Sequence, residues 1–210
     1  MQIAIIGIGN VGAALGKRWA AAAHDIVFGV RDTAAPKAAS AVAAAGVRAR
    51  AVSVAEAAQA ASVVVLATPF SGTEAAIIAC GNLAGKVIVD CTNPLAPNLA
   101  GLTVGHTDSA GEAVARWAKG AKVIKALNTT GSGNMLNPRY GDENLSMFVC
   151  GDDGDAKKLV SGLVAELGFD PVDAGGLTQA RYLEPLAMLW ISMAYRCGYG
   201  PNFGFRVVRR

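Results

Sequence analysis

Between the short β-branched run Gln2 to Ile6 and an alanine-rich stretch from Val11 to Ala23 lie three glycines at a fixed spacing, Gly7-Ile8-Gly9-Asn10-Val11-Gly12. The first run has the length and composition of a buried strand ended by glycine, and the second has a helical pattern. A strand that must turn into a helix within so few residues has little choice of geometry. Gly7 permits the tight turn, Gly9 keeps the backbone bare where another group approaches it, and Gly12 lets helix and strand pack closely. The free N–H groups and positive dipole end at the helix start suit a phosphate. In this context the spacing predicts a dinucleotide pyrophosphate bound along Gly7, Ile8, Gly9, Asn10, Val11 and Gly12.

The rest of the chain keeps the same rhythm. Strands are expected at Ile26 to Phe28, Arg48 to Val52, Ser62 to Ala67, Lys86 to Asp90 and Lys122 to Leu127. Helices are expected between them, at Ala34 to Ala45 (closed by Gly46), Ser71 to Cys80 and Ser109 to Ala118, with a short one after Ser53. Ser53 and Glu56 have the spacing of a capping box. Alternating strands and helices give right-handed βαβ units, hence an α/β fold of the Rossmann type: doubly wound, with a mostly parallel sheet. After Leu127 the rhythm changes. Asn128 to Asn144 reads as a loop with one helical turn, followed by a strand at Ser146 to Cys150, a helix at Asp152 to Leu167 and a short strand at Asp170 to Val172. Asp173-Ala174-Gly175-Gly176 reads as a turn that closes over the site, and Thr178 to Tyr195 as a last helix. The expected division is a dinucleotide-binding domain over 1–175 and a short C-terminal helical extension with a tail over 176–210, packed on the sheet or on a dimer partner.

Composition excludes several classes. Of 210 residues, 52% are hydrophobic and 17% charged, which suits a sheet covered on both faces and not a disordered chain. A net charge of +3 without a basic cluster gives no case for nucleic-acid binding. Mean hydropathy is +0.36, yet the most apolar long stretch, Leu183 to Tyr195, is too short to span a bilayer and is broken by Glu184 and Pro185. The first apolar run ends in the glycine loop, so it is not expected to be a signal peptide. Cys80, Cys91, Cys150 and Cys197 form no C-x-x-C pair and read as free thiols of a cytoplasmic protein. His24 and His106 are the only histidines, so no metal site is expected.

The end of the second strand bears on the choice of cofactor. An acid there would bind the ribose 2′-OH of NAD. This chain offers Arg31, with Lys37 about a helical turn beyond, and both suit the 2′-phosphate of NADP. Asp32 leaves NAD open, because it can pair with Arg31 or contact a 2′-OH.

Arg31 and several later stretches resemble the coenzyme F420-dependent NADP oxidoreductase family, which includes the NADPH-binding domain of the STEAP metalloreductases. Similar stretches are Thr68-Pro69-Phe70, Asp90-Cys91-Thr92-Asn93-Pro94, Lys125-Ala126-Leu127-Asn128-Thr129, Val149 to Asp153, Leu167-Gly168-Phe169, Pro171 to Gly175 and Ala180 to Leu186. The resemblance covers nearly the whole length. It implies hydride transfer between NADP(H) and a deazaflavin (F420) or a flavin (FMN or FAD), and homodimerisation. It implies NADP contacts at Gly7 to Gly12, Arg31, Lys37 and Thr68-Pro69-Phe70. Two departures stand out: Val30-Arg31 where the family often has Ser-Arg, and Asn128-Thr129 where some members have His-Thr. The acceptor therefore stays open.

In a doubly wound sheet, ligands lie beyond the carboxyl ends of the strands. Thr68, Pro69, Phe70, Asn93, Pro94 and Asn128-Thr129-Thr130-Gly131 are all expected there, around the nicotinamide and the acceptor ring. Hydride transfer needs alignment of two rings and no protein acid or base, so no catalytic residue is named. Asn128, Thr129 and Thr130 are the expected acceptor contacts. His106 and Asp108 read as a cap, and Met188 and Trp190 as core or dimer contacts. Arg206, Arg209 and Arg210 read as a solvated end or as an attraction for an anionic cofactor tail. Two other uses remain: an NADPH-binding sensor or partner protein without turnover, and a small-substrate NADP-dependent dehydrogenase. The second usually adds a long helical domain, for which the segment after Gly175 is too short.

Overall fold

A computed structural model describes residues 1–210. The chain runs through β1 (Gln2–Ile6), α1 (Asn10–Ala21), β2 (Asp25–Val30), α2 (Pro36–Ala45), β3 (Ala49–Ser53), α3 (Val54–Ala60), β4 (Val63–Leu66), α4 (Thr73–Cys80), β5 (Val87–Asp90), α5 (Ala110–Trp117) and β6 (Lys122–Lys125). It continues with α6 (Ser132–Leu136), a hairpin of β7 (Arg139–Tyr140) and β8 (Glu143–Asn144), β9 (Ser146–Gly151), α7 (Gly154–Glu166), β10 (Asp170–Gly175) and α8 (Ala180–Tyr195). Eight strands form one sheet in the order β3-β2-β1-β4-β5-β6-β9-β10. The first six are all parallel. β9 is antiparallel to β6, and β10 is parallel to β9. This is the expected mostly parallel Rossmann sheet with a C-terminal helix.

Both faces are covered, which explains the unbroken apolar runs such as Val63-Val64-Val65-Leu66. On one face Ile3, Ile5, Phe28 and Val65 pack with Leu15 and Trp19 of α1, Ala38 and Ala41 of α2, and Val160 and Leu163 of α7. On the other, Ala4, Ile6, Val64 and Ile88 pack with Ala57 of α3, Ile77 of α4 and Val114 of α5. Polar contacts hold α1 to α7. The Trp19 indole donates to the Leu163 carbonyl at 3.0 Å, and His24 Nε2 lies 2.6 Å from Glu166 Oε2. The Ser53–Glu56 capping box at α3 forms as expected.

Three segments differ from the sequence-based expectation. Within the expected loop 128–144, α6 is the single helical turn, but β7 and β8 pair as well. Asp173 to Gly175 continues β10 instead of ending it. Gly175 donates to Asp173 Oδ1 at 2.8 Å, an Asx-type turn, and the extra residue is absorbed as a bulge before Gly175 meets Cys150. The tail is held in place: Ser146 donates to the Phe205 carbonyl at 3.0 Å, Val207 donates to Ser146 Oγ at 2.9 Å, and Arg206 pairs with Glu143. β9 meets β6 only at Cys150 and Gly151, so Ser146 lies beyond β6 and its backbone is free for the tail. No helix is long and apolar enough to cross a membrane.

Cys80, Cys91 and Cys150 are buried and Cys197 is exposed. Burial pushes the Cys80 thiol up to about 11 and Cys150 to about 12. A thiol-exchange reagent at mildly alkaline pH is therefore expected to titrate one thiol per native chain and four after denaturation. A second fast-reacting thiol in the native chain would contradict this packing.

Candidate active site

The strand order reverses at β1. The chain leaves β1 through α1 toward β2 and β3, then returns through α3 to place β4 on the other side. The loops after β1 and β4 diverge there and open a crevice. Gly7 has φ +102°, and a Cβ on it would lie 2.7 Å from the Ala67 carbonyl oxygen. A Cβ on Gly12 would lie 1.9 Å from the Gly7 carbonyl oxygen. Those two glycines let the chain pack on itself. Gly9 differs, because a Cβ there would meet nothing within 4 Å. The missing side chain at Gly9 serves no packing within the protein, and it leaves open space beside the start of α1.

Electrostatics at this helix start agree. Ser53, Ser109 and Asp153 cap α3, α5 and α7 with their side chains. Like α2, α6 and α8, α1 has no side-chain cap and no acidic residue in its first turn, and it alone of these begins directly at the open Gly9. Its leading N–H groups and positive dipole end are left for an anion.

Arg31 and Lys37 lie beyond β2, exposed and with no carboxylate within ion-pair distance. Asp32 does not pair with Arg31. Its Oδ1 accepts the Ala34 N–H at 2.9 Å and bends the chain into α2. The first turn of α2 carries Lys37 and no acid. A cation at a helix N-terminus opposes the dipole, so the arrangement is favourable only with an anion between them.

The other half of the crevice is built from the loops after β4, β5 and β6. Thr68 Oγ1 and Thr73 Oγ1 are 2.9 Å apart, and Thr73 donates to the Pro69 carbonyl at 3.1 Å. Phe70 leans on Trp117, ring centroids 5.6 Å apart. Asn93 donates to the Asn128 carbonyl at 2.9 Å, and Asn128 Nδ2 donates back to Asn93 Oδ1 at 3.0 Å, bridging the β5 and β6 loops. Pro94 is buried, and its carbonyl accepts from Thr103. Asn128 and Thr129 are 4% and 3% exposed. Thr129 turns to Met147 Sδ, and Thr130 Oγ1 accepts from Asn134. Asn128 Oδ1 and Thr92 Oγ1 are buried with no partner.

His106 sits in an exposed turn with φ +60°, and Asp108 holds Arg116 through both carboxylate oxygens. Trp190 is buried, stacked on Phe203 at 5.3 Å, and donates to the Phe203 carbonyl at 2.9 Å. Its ring lies against Gly131.

Sequence reasoning missed a buried ionic cluster beneath these loops. Lys125 at the end of β6 is 0% exposed, as is Asp90 at the end of β5, and Glu184 of α8 is 1% exposed. The Lys125 ammonium lies 2.8 Å from both Asp90 Oδ2 and Glu184 Oε1 and donates to the Thr92 carbonyl at 2.6 Å. Burial raises the Glu184 carboxyl above its ordinary range, against the pull of Lys125. A visible signal existed: a lysine closing the apolar run Val123-Ile124 and a glutamate within the long apolar stretch Leu183 to Tyr195.

The two glycine environments predict opposite behaviour on substitution. Gly12→Ala forces a methyl group into the Gly7 carbonyl and is expected to destabilise the chain by about 1–3 kcal/mol. Gly9→Ala is expected to leave the thermal midpoint unchanged. Thermal denaturation of both variants checks this, and an equal loss in both would contradict the assignment of Gly9 to a ligand.

Residues 2–94 match the family model described as NADP oxidoreductase, coenzyme F420-dependent. The chain is 30% identical over 207 residues to the F420-dependent NADP reductase of Methanothermobacter marburgensis, covering 92% of each protein. It is 36% identical over 110 residues to the metalloreductase STEAP3 of Rattus norvegicus, a match spanning 51% of this chain and 21% of that protein. Among solved structures, a candidate F420-dependent NADP-reductase from Arthrobacter sp. FB24 superposes with a TM-score of 0.89 at 34% identity, covering 99% of both chains. With the similarity running from the glycine loop through the C-terminal helix, this chain belongs to the F420-dependent NADP reductase family.

Proposed function

We propose that this protein transfers a hydride between NADP(H) and a deazaflavin such as coenzyme F420, or a flavin-type acceptor. One observation carries the reading: an uncapped, acid-free helix start over a bare Gly9, in a crevice whose next strand ends at two unpaired cations, Arg31 and Lys37. The fit to NADP is specific in its charges. Backbone N–H groups of Ile8 to Gly12 hold the pyrophosphate, and Arg31 with Lys37 holds the 2′-phosphate. Asp32, engaged by the Ala34 N–H, leaves those cations free for it. Thr68, Pro69, Phe70, Asn93 and Pro94 surround the nicotinamide. NADPH supplies the hydride when bound, and the residues around it orient and exclude water.

The acceptor half follows from what is buried. Asn128 and Thr129 direct their side chains inward, so they act on the acceptor through the shape of the loop, with Thr130 and the backbone beside it. No titratable side chain of these loops is needed for proton transfer, which suits a reaction governed by ring alignment. In this reading residues 1–175 hold NADP(H), and 176–210 packs on the sheet and walls the acceptor half through Trp190. The exposed Tyr182 and Leu189, seven residues apart on one face of α8, support an isologous dimer, and the free thiols fit a cytoplasmic protein.

Two measurements test this. NADPH oxidation is screened with F420, FMN, FAD and a ferric chelate; turnover with a ring acceptor is expected, and NADPH binding without turnover on any of them would favour a sensor. Arg31→Ala is expected to weaken NADPH by about ten- to hundredfold, the loss of a charge-assisted contact of about 1.5–3 kcal/mol, while leaving NADH affinity nearly unchanged. Equal weakening of both cofactors would overturn the 2′-phosphate assignment.

A further inference from the structure

The ammonium of Lys125 has three protons and three acceptors: Asp90 Oδ2, Glu184 Oε1 and the Thr92 carbonyl. Glu184 is engaged again from α5, where the Ala110 N–H donates to Oε2 at 2.9 Å and the Gly111 N–H to Oε1 at 3.0 Å. Asp90 Oδ1 accepts the Thr92 N–H at 2.9 Å. Two carboxylates thus face one ammonium, and the start of α5 offsets the remaining negative charge. Stability alone gives little reason for such a cluster, because apolar residues of the same volume often serve as well.

What the cluster does have is reach. Thr92, gripped at both its N–H and its carbonyl, leads directly into Asn93. Asn93 exchanges two hydrogen bonds with Asn128, and Asn128 Nδ2 also donates to the Leu183 carbonyl at 3.3 Å, one residue before Glu184. Helix α8 therefore holds both the ammonium and the loop bridge through consecutive residues. None of these bonds involves Gly7 to Gly12 or Arg31.

We infer that Lys125 is a positioning residue for hydride transfer: clamped between Asp90 and Glu184, it fixes the Thr92–Asn93 turn beside the nicotinamide and, through the Asn93–Asn128 bridge, how the acceptor ring lies against it, while the phosphate contacts elsewhere set NADPH affinity. This rests on the proposed function. Its physical content is a separation of roles: one half of the crevice sets NADPH affinity, and the buried cluster sets the geometry of transfer.

Lys125→Met alone strands two buried carboxylates and is expected to fold poorly. The decisive variant is the uncharged triple replacement Lys125→Met, Asp90→Asn and Glu184→Gln. NADPH affinity is measured by fluorescence titration. Single-turnover transfer is measured to the acceptor used by the unmodified protein, with rates referred to NADPH-binding sites so that misfolded chains do not count. NADPH affinity is expected to stay within about twofold, while transfer slows by about ten- to hundredfold and its isotope effect with deuterated NADPH rises, as a misplacement near 1 Å would produce. Glu184→Gln alone keeps a neutral Lys125–Asp90 pair, so it is expected to fold, to slow transfer severalfold and to spare NADPH affinity. An unchanged transfer rate per site in either variant overturns the inference, even if the triple replacement does not fold. Absence of transfer by the unmodified protein to every acceptor overturns the proposed function and this inference with it; turnover with an unaffected variant overturns this inference alone.

Discussion

Helix α1 is seated so close to the end of β1 that one methyl group on Gly12 would collide with the Gly7 carbonyl. That contact fixes the rest of the crevice. It brings the start of the helix over the point where the strand order reverses, and it stops the helix from tilting away from the sheet. The helix begins at Gly9, which has no side chain to cap the first N–H groups. The positive end of α1 is thus left open, and the cations beyond β2 extend the same field outward.

The two halves of the crevice are built on different physics. Toward β2 the cations Arg31 and Lys37 are exposed and unpaired, with Asp32 turned to the Ala34 N–H, which suits an anionic ligand that comes and goes. Toward β6 the charges are buried, paired and fully hydrogen-bonded, which suits a scaffold that must not move. Helix α8 belongs to the second half. Its Glu184 satisfies both the Lys125 ammonium and the start of α5, and its Trp190 lies on Gly131. Removing the helix would expose the charged cluster and unseat the β6 loop together, so the segment after β10 is part of the scaffold that holds these loops.

Local chemistry was legible in the sequence. The glycine spacing, the apolar strands, the Ser53 capping box and the cations after Val30 all act over a few residues, where pattern and structure coincide. Long-range partners were not. Lys125 and Asp90 are 35 positions apart, and only the parallel register of β5 and β6 sets them side by side. The loop after β6 lies at the carboxyl end of the sheet as expected, but a polar run such as Asn128-Thr129-Thr130 looks the same whether its side chains face a ligand or the interior. Likewise, nothing local distinguishes a frayed tail from one held by Ser146 and Glu143. Asp173-Ala174-Gly175 shows a third limit: its turn chemistry is present, yet the pairing of β10 with β9 carries the strand through it.

The central claim is that the start of α1 and the β2–α2 link together form an NADP site with separate pyrophosphate and 2′-phosphate parts. Amide hydrogen exchange with saturating NADP⁺ or NAD⁺ tests it most directly. Both cofactors should protect Ile8 to Gly12, and NADP⁺ alone should protect the segment from Arg31 to Lys37. Equal protection of Arg31 to Lys37 by the two cofactors, or no protection at Ile8 to Gly12 with either, would contradict the account.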